Sequence, residues 1–556
     1  MSNSHFAKFP QINLPRSRIK IDFTHKLSMM HGYLTPIDCF PVVPGDTHVM
    51  KKIASLIHMS TPIVPFMDNI DMYVRCFFVP LRLVWNNFEV FMGANKGAGY
   101  QQVVPVFPAC SRSKFVGTVN AASMRLNLSH MLGKPIQRMG GFDYMPKPLS
   151  VLKERGYYLI WNNYFRAEQL QSEYPIDFSD GSIDSSGQPY ATILLTDSIQ
   201  NDSSFNLWAH QLLKVNKKHD YFTSCTLSPQ YGPSTLLPLG DSAPIIAVNE
   251  NDYYQFDISD SGTYLQSDPT PIPVGGRGTV YGIDTQNDSN AGLYADLTKA
   301  TAASINSLRF AFAVQRYLER SNYGCNHFYE ILAVHYGVTS PDARLQRPEY
   351  LGGYHFRINV DQVLNATGKT DTDQTDLGKK GAVSVTADRH FGFEKAFVEP
   401  GYIYILAYTK QDRSYSDMVL KEDIKTNKFE FYSPEFANIG DQEVLRFELD
   451  GKAATDDVLG FQEAWAEYRY RPSRVSGDLN PSLSGSQPYW TLADSYALVP
   501  QLGSSWIEED RTNVARALAT GTNGPDFLCD WYYEDRAARL MPVYSIPGLI
   551  DHVGSM

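Results

Sequence analysis

Apolar and polar residues alternate along residues 71–78, near the start of the chain. The apolar positions share one face of this pattern, and they are Met72, Val74, Cys76 and Phe78. A period of two, in a stretch rich in aromatic and branched side chains, predicts a β-strand. Pro80 ends the predicted strand, because proline lacks a backbone donor and has a fixed φ.

The hydrophobic period becomes helical directly after Pro80. Apolar residues recur at helical spacing, and they are Leu81, Val84, Trp85, Phe88 and Met92. Gly93 is suited to end a helix. We therefore predict one short amphipathic helix whose aromatic face, including Trp85 and Phe88, packs into a core. This arrangement is typical of many β-rich domains.

Further along the chain, helical and strand patterns separate into groups. Helical spacing recurs over residues 151–170, 302–320 and 326–337. Strand patterns follow at residues 354–360, 382–386, 402–408, 428–432 and 444–449. The strand at 402–408 is bulky on both faces, which predicts burial on both sides. Strands that bracket long excursions, without a repeat of 20–50 residues, favour a single β-sandwich with elaborated loops.

Residues 176–300 differ from the remainder in composition and charge. They contain 15 acidic and five basic residues, and therefore carry nearly all of the net charge of −11. Nucleic acid would be repelled by a segment of this sign. We predict an inserted subdomain of short strands and long loops that lies on an exposed surface and faces away from any genome.

Two basic segments are candidate nucleic-acid contacts. Residues 1–30 carry five basic residues and one acidic residue, which predicts an extended basic arm with Arg16, Arg18 and Lys20 as DNA-contacting residues. The second segment alternates aromatic and basic residues, and its candidate cations are Arg469, Arg471 and Arg474. Such a pattern can stack bases and bind phosphates. Arginine and tyrosine are also enriched at subunit contacts, and this second interpretation is the favoured one for the second segment.

Several other classes of site find little support in the sequence. No apolar run reaches the roughly 18–20 residues that cross a bilayer, and the first residues lack the apolar core of a signal peptide, so we expect a cytoplasmic origin without membrane insertion. The six cysteines form no CxxC pair, which favours buried reduced thiols.

Catalytic and cofactor motifs are also missing or incomplete. Gly368, Lys369 and Thr370 resemble the end of a phosphate loop, but Val363 stands where its first glycine is required. The aspartates at 371–376 lack the glycine and glutamate of a calcium loop. No HExxH or GxSxG motif occurs. We expect no catalytic, metal or cofactor site, although a glycosidase carboxylate pair stays open.

Four stretches resemble the major capsid proteins of microviruses, the small icosahedral single-stranded DNA phages, and most of all the gokushovirus branch. They are residues 67–93, SPDARLQRPEYLGG at 340–353, GFQEAWAEYRYRPSRVSG at 460–477 and MPVYSIPGLIDH at 541–552. The first stretch supplies Trp85 and Phe88 as candidate core or assembly residues. The second supplies Arg344, Arg347 and Tyr350.

The resemblance implies a mainly β protein with a viral β-jelly-roll, an antiparallel β-sandwich with helices and long insertions in its connecting loops. It implies four regions: a basic arm at 1–30, jelly-roll segments at 31–175 and 301–556, and a surface insertion at 176–300. It further implies a structural, non-enzymatic protein of a T = 1 icosahedral shell around circular single-stranded DNA. The insertion would project near the threefold axes and attach to the host.

The partners implied by the resemblance are further copies of this chain and the single-stranded DNA genome. They also include the internal scaffolding, DNA-pilot and small basic virion proteins of the phage, and a host surface receptor bound through 176–300. The protein would reside in the virion after assembly in the cytoplasm of a host bacterium.

Two alternatives from other classes remain. A β-sandwich carbohydrate-binding protein or glycoside hydrolase of extracellular type would have a secretion signal and would be a monomer. A cellular nucleic-acid-binding protein would need a basic domain. The net charge of −1 outside residues 176–300 argues against that class.

Overall fold

A computed structural model of the chain describes residues 15–94, 105–110, 125–134, 149–183, 189–190, 211–233, 235, 245–247, 293–295, 305–324, 327–364, 380–454 and 457–544. The chain divides into two compact units. The first unit draws on Met1–Pro229 and Gly324–Met556, and the second is Gln230–Tyr323.

The strands within the described residues are, in chain order, β1 (Ser17–Met29), β2 (Thr35–Val42), β3 (Thr47–Met59), β4 (Ile70–Pro80), β5 (Ala109–Cys110), β6 (Leu149–Ser150), β7 (Ser182–Ile183), β8 (Pro189–Tyr190), β9 (Ile245–Ala247), β10 (Leu293–Ala295), β11 (Glu349–Arg357), β12 (Asp361–Leu364), β13 (Lys380–Val383), β14 (Val385–His390), β15 (Glu394–Ala396), β16 (Gly401–Gln411), β17 (Ser414–Tyr415), β18 (Asp441–Leu445), β19 (Val458–Glu463), β20 (Ser473–Arg474) and β21 (Phe527–Arg539).

The α-helices within the described residues are α1 (Leu81–Val84), α2 (Phe88–Phe91), α3 (Leu128–Met131), α4 (Leu152–Tyr164), α5 (Ile305–Asn322), α6 (Phe328–Tyr336), α7 (Lys421–Ile424), α8 (Arg446–Leu449), α9 (Ser504–Ile507) and α10 (Thr512–Ala517). Short 3-10 helices lie at Lys428–Glu430, Pro434–Phe436, Ala466–Tyr468, Gly477–Leu479, Pro488–Trp490 and Gly521–Asn523.

Two four-stranded paths form the centre of the first unit. The first sheet has the order β1–β21–β3–β14, with β15 also paired to β3, and the second has the order β11–β4–β16–β2. Every neighbouring pair is antiparallel. Counted along the chain, these eight strands therefore run 1-8-3-6 in one sheet and 5-4-7-2 in the other. This interleaving is that of a jelly roll, so the predicted fold class is confirmed.

The space between the sheets is the first hydrophobic core. Alternate residues of every long strand enter it, as the pattern at 71–78 predicts. Its fully buried members include Met72 and Val74 from β4, Ile405 from β16, and Trp531 and Tyr533 from β21. Because the strand period is two, the intervening residues of each strand point to the opposite face of its own sheet.

The outer face of the second sheet carries a second core. Phe77, Tyr404 and Leu406 point outward from β4 and β16, and α4 covers them with Tyr157 and Tyr158. The central strands of this sheet are thus buried on both faces, as residues 402–408 predict. The outer face of the first sheet has no comparable apolar cover within the described residues.

Several local predictions differ from the structure. The helix expected over 151–170 ends at Tyr164, and the strand expected at 382–386 is divided at Ser384 between β13 and β14. The single helix expected after Pro80 is divided into α1 and α2, because Trp85 is extended there and its ring nitrogen donates to Asp180 at 2.6 Å. The strand expected at 428–432 is wrong: Lys428–Glu430 is a 3-10 turn, capped by the Asn427 side chain. Such local side-chain bonds compete with strand pairing. The strand expected at 444–449 ends at Leu445, where α8 begins.

The second unit also begins later than the expected insertion. Residues 211–229 belong to the first unit, where Leu212, Val215 and Phe222 are buried. The backbone of this segment bonds to the jelly roll, because the Leu34 amide donates to the Leu213 carbonyl at 2.9 Å. The second unit instead runs past residue 300 and contains α5. The composition of 211–229 obscured these bounds, because Lys214, Lys217, Lys218 and Asp220 stand between its apolar residues.

Within the second unit, the structure describes α5, the antiparallel pair of β9 and β10, and residues 230–233 and 235. The Tyr231 amide donates to the Leu318 carbonyl of α5 at 3.2 Å. Phe310 and Phe312 are exposed on that helix. Most of the expected insertion, residues 1–14 of the expected arm, Asn326 and the motifs at 368–376 lie outside the described residues.

Gly156 allows α4 to approach β16 closely. A Cβ atom at this position would lie 2.2 Å from the Tyr404 hydroxyl oxygen and 2.8 Å from its Cζ. Tyr404 is fully buried, and its hydroxyl donates to the Lys153 carbonyl at 2.9 Å. Its ring therefore has little freedom to move.

Gly156→Ala should destabilise the first unit. Alanine normally stabilises a helix by roughly 0.5–1 kcal/mol relative to glycine. Overpacking of a core costs roughly 1–3 kcal/mol, so the clash should prevail. Chemical denaturation would measure the loss, and the double variant Gly156→Ala with Tyr404→Phe should recover part of it, because the nearest atom is removed. An unchanged or higher stability of Gly156→Ala would contradict this packing.

Candidate functional site

The outer face of the first sheet, which we call the open face, is exposed and carries more basic than acidic side chains. The register of β1, β21, β3 and β14 places its charged residues on one side of the sheet. The cations are Arg18, Lys20, Lys26, Lys52, Arg389 and Arg536, and the anions are Asp22, Glu394, Asp530 and Glu534. The cations therefore outnumber the anions by two.

Ion pairs cross the strands of the open face. Lys52 lies 3.1 Å from Glu534, and Lys26 lies 3.3 Å from Asp530. Lys20 contacts Asp22 and its pKa is raised, chiefly by that hydrogen bond. Exposed pairs of this kind contribute little to stability. The surplus of cations gives the open face a positive potential suited to a polyanion.

Three of the predicted DNA-contacting residues lie near the start of the chain and are exposed. They are Arg16, Arg18 and Lys20. Arg18 and Lys20 lie in β1, and Arg16 immediately precedes it. The described part of the expected arm is therefore an edge strand of the sheet. Its apolar residues at every second position explain this, because Ile19, Ile21 and Phe23 turn toward the sandwich.

The other three predicted cations belong to a different surface. We call it the aromatic surface, and it consists of residues 425–436 and 463–474. Its aromatic side chains are between 48% and 60% exposed, and they are Phe429, Phe431, Tyr432, Tyr468 and Tyr470. Arg469, Arg471 and Arg474 are exposed beside them. Sequence reasoning missed residues 425–436, because the aromatic run at 429–432 was interpreted as a strand.

The predicted core or assembly residues fall into two environments. Trp85 and Phe88 are buried in the second core. Arg347 is half-buried, with its guanidinium carbon 3.8 Å from the centroid of the Tyr329 ring and an ion pair to Asp342 at 2.6 Å.

The remaining two predicted assembly residues, Arg344 and Tyr350, are exposed on the surface of the first unit. The structure thus separates residues that hold the subunit together from residues available to a neighbour. Spacing alone could not make that distinction.

A buried ionic network joins distant parts of the first unit. Arg413 follows β16 and lies 3.1 Å from Asp494, and its guanidinium also contacts Glu509. His31, between β1 and β2, lies 3.1 Å from the same Glu509 carboxylate. The Glu509 amide donates to the Val215 carbonyl at 2.8 Å. The network therefore ties residues 211–217 to the jelly roll.

The described residues contain no group of three or more histidine, cysteine or acidic side chains that could hold a metal ion. No helix among them is both long and apolar enough to span a bilayer. Cys76, Cys225 and Cys529 are free and buried, and Cys39 is free and partly buried. Burial raises the pKa of the Cys76 thiol to about 12. These side chains offer no reactive centre.

This chain is similar to known proteins over nearly its whole length. Residues 7–549 match the family described as capsid protein (F protein). The capsid protein VP1 of Spiroplasma virus 4 is 31% identical, with 98% of this chain and 97% of the relative covered. The capsid proteins VP1 of Bdellovibrio phage phiMH2K and Chlamydia phage 1 are 30% and 29% identical, each with 98% of both chains covered.

This chain belongs to the capsid protein (F protein) family. The resemblance to gokushovirus capsid proteins is thereby confirmed. The protein is a structural, non-enzymatic component of a phage virion, and it associates with itself to build the shell. The carbohydrate-binding and hydrolase alternatives are set aside, because the family matches nearly the whole chain.

The stability of this capsid protein should depend on pH through Glu509. Burial alone would raise the pKa of this carboxyl, but Arg413 and His31 outweigh burial and lower the pKa to about 2. An ordinary glutamate has a pKa of about 4.3 when unfolded. Because the folded value is the lower one, the stabilisation is complete above about pH 4.3 and is lost as pH falls toward 2.

Glu509→Gln should therefore cost on the order of 3 kcal/mol at pH 7 and clearly less at pH 3. Urea denaturation of dissociated subunits at both pH values would measure the difference. Glu435→Gln is a suitable control, because Glu435 is exposed and its replacement should change stability by about 0.5 kcal/mol or less. A Glu509→Gln cost that is equal at both pH values would refute the assigned charge state.

Proposed function

We propose that this capsid protein forms a T = 1 icosahedral shell around the circular single-stranded DNA of a small phage, with the open face of the jelly roll turned toward the genome. We infer this orientation from the unequal covering of the two sheets. One sheet is covered by α4 and its neighbours, whereas the other exposes a cationic surface. A subunit of a shell has an inner side that faces the genome and an outer side that faces the medium.

The chemistry of the open face suits single-stranded DNA of any sequence. Its cations lie along neighbouring strands, so they offer a row of charges to a phosphate backbone. Contacts to phosphates give affinity without base specificity and release counterions. The expected affinity is thus salt-dependent and tolerant of sequence.

The second unit is acidic, which suits the outer side of the shell rather than contact with DNA. Residues 230–304 contain nine acidic and two basic residues, so DNA would be repelled by them. We propose that this segment projects outward, near the threefold axes, and binds a host surface receptor. Its abundance of Tyr, Ser, Asn and Asp suits polar or carbohydrate contacts.

Other partners follow from this role. We propose that the shell assembles in the cytoplasm of a host bacterium with internal scaffolding protein. We also propose that DNA-pilot and small basic virion proteins accompany the genome. A small basic protein would share the neutralisation of DNA, so the open face need supply only part of the positive charge.

Removal of charge from the open face should weaken DNA binding without loss of fold. We expect the double variant Arg18→Gln with Lys20→Gln to lower the slope of log affinity against log salt concentration by about 1.4, because each phosphate contact to a single strand contributes about 0.7. Binding of single-stranded DNA to dissociated subunits would give the slope. Particles of the variant should form normally and retain less DNA.

Lys452→Gln provides the control for that experiment, because Lys452 is exposed outside the open face and pairs with Asp417 at 3.0 Å. It should leave both the slope and the DNA content unchanged. An unaltered slope in the double variant would exclude the open face as the DNA-binding surface.

Replacement of residues 236–300 by a short Gly-Ser linker should separate assembly from adsorption. The replacement keeps 211–229, which the jelly roll buries, and also keeps α5. Loop-closure entropy changes by only about 0.6 kcal/mol per doubling of loop length, so the fold should tolerate the change. We expect particles that package DNA and fail to adsorb to host cells.

A linker in place of residues 366–378 would control for shortening of the chain as such. Normal adsorption of the 236–300 variant would assign receptor binding to another part of the shell. Failure of that variant to assemble would mean that the segment supplies contacts needed to build the particle.

A further inference from the structure

The side chains of the aromatic surface are held in place by a hydrogen bond, an ion pair and ring contacts. The Trp465 ring nitrogen donates to the Phe436 carbonyl at 2.8 Å, which joins its two segments. Lys425 adds a second link, because its ammonium lies 2.6 Å from Glu467 and 4.6 Å from the centroid of the Tyr468 ring. The Tyr432 ring lies 6.1 Å from the Tyr468 ring. The exposed rings are therefore held in place before any partner binds.

The turn at 428–430 is equally fixed. The amides of Thr426 and Asn427 donate to the Glu430 carboxylate at 2.8 and 3.2 Å, and these bonds lower its pKa. The Asn427 side chain accepts from the Phe429 amide at 3.2 Å. Phe429 is consequently presented to solvent on a capped turn, and little conformational entropy remains to be lost on binding.

The charge of the aromatic surface distinguishes it from the open face. Its two segments contain five cations and four carboxylates, so the surface is nearly neutral. Lys425 is already paired with Glu467, and Arg469 with Glu463 at 2.6 Å. A surface with a net charge of only +1 attracts a polyanion weakly. The balance instead suits a protein partner, whose surface charges are also mixed.

A cleft borders the aromatic surface. It is lined by apolar residues, among them Met418 and Leu420, and by charged residues, among them Lys421, Glu448 and Arg471. A cleft of mixed lining beside exposed aromatic and arginine side chains is suited to a protein contact, because such contacts combine apolar and polar groups.

We propose that the aromatic surface is a contact at which one subunit binds a second copy of this chain in the shell. The proposal rests on the shell-forming function, since self-association is what this family of proteins requires. A second copy is favoured over DNA because the surface is nearly neutral in net charge. A cluster of five aromatic side chains, each between 48% and 60% exposed, is also typical of a surface that contacts another protein.

The test uses Phe429→Ser and Tyr470→Ser in the full chain, with Phe391→Ser as the matched control. Phe391 is 56% exposed, close to the 60% of Phe429, and lies in the loop between β14 and β15. Assembly would be followed by sedimentation velocity over a range of concentrations, and folding by thermal denaturation. The DNA content of the particles would be measured in parallel.

The two surface variants should melt like the wild type, yet need at least roughly tenfold higher concentration to assemble, the change that corresponds to loss of an interface anchor. Phe391→Ser should assemble normally. Assembly of both surface variants at the wild-type concentration would overturn the proposal. Normal assembly with reduced DNA content would overturn it in favour of a nucleic-acid surface.

Cross-linking gives a second readout that needs no substitution. In particles built from a mixture of isotope-labelled and unlabelled wild-type subunits, Lys428 should form cross-links that join the two forms. Cross-links of Lys428 confined to single subunits would count against the proposal. Failure of the wild-type chain to form any particle would instead contradict the shell-forming function, so the two failures are distinguishable.

Discussion

The β4–β16 pair imposes the constraint on which the rest of the subunit depends. Both strands have bulky side chains on both faces, so each face must be covered by another layer. The first sheet covers one face and α4 covers the other, with Gly156 allowing the close approach. No such demand exists for β1 and β21, because most of their outward residues are charged or polar. The asymmetry of the subunit thus follows from the side chains of two central strands.

The Arg413 network connects this layered structure to its long connections. A buried ion pair adds little net stability over a hydrophobic contact, but loss of one partner leaves an uncompensated charge. Here one guanidinium binds Glu509 and Asp494 from the segment before β21, while the Glu509 amide bonds to Val215. Residues 211–229 are therefore held within the first unit, and the excursion that follows can vary without disturbing the core.

Sequence patterns predicted the strands with clean alternation, because burial on one face leaves a signal of period two. They failed where local side-chain bonds decided the backbone. Asn427 and Glu430 cap a turn in an aromatic run that looks like a strand, and Trp85 breaks a helix to bond with Asp180. The cations of β1 were found by composition, but Lys52, Arg389 and Arg536 join them only through sheet pairing. Contacts between segments distant in sequence carry no local signal.

Electron cryomicroscopy of purified particles is the most direct test of the central claim, that the two faces of the jelly roll serve the two sides of a shell. A map that resolves side chains should place the open face, with Arg18 and Lys20, toward the lumen and beside density for nucleic acid. It should place residues 230–323 on the outer surface. A map with the open face turned outward, or buried between subunits, would contradict the claim.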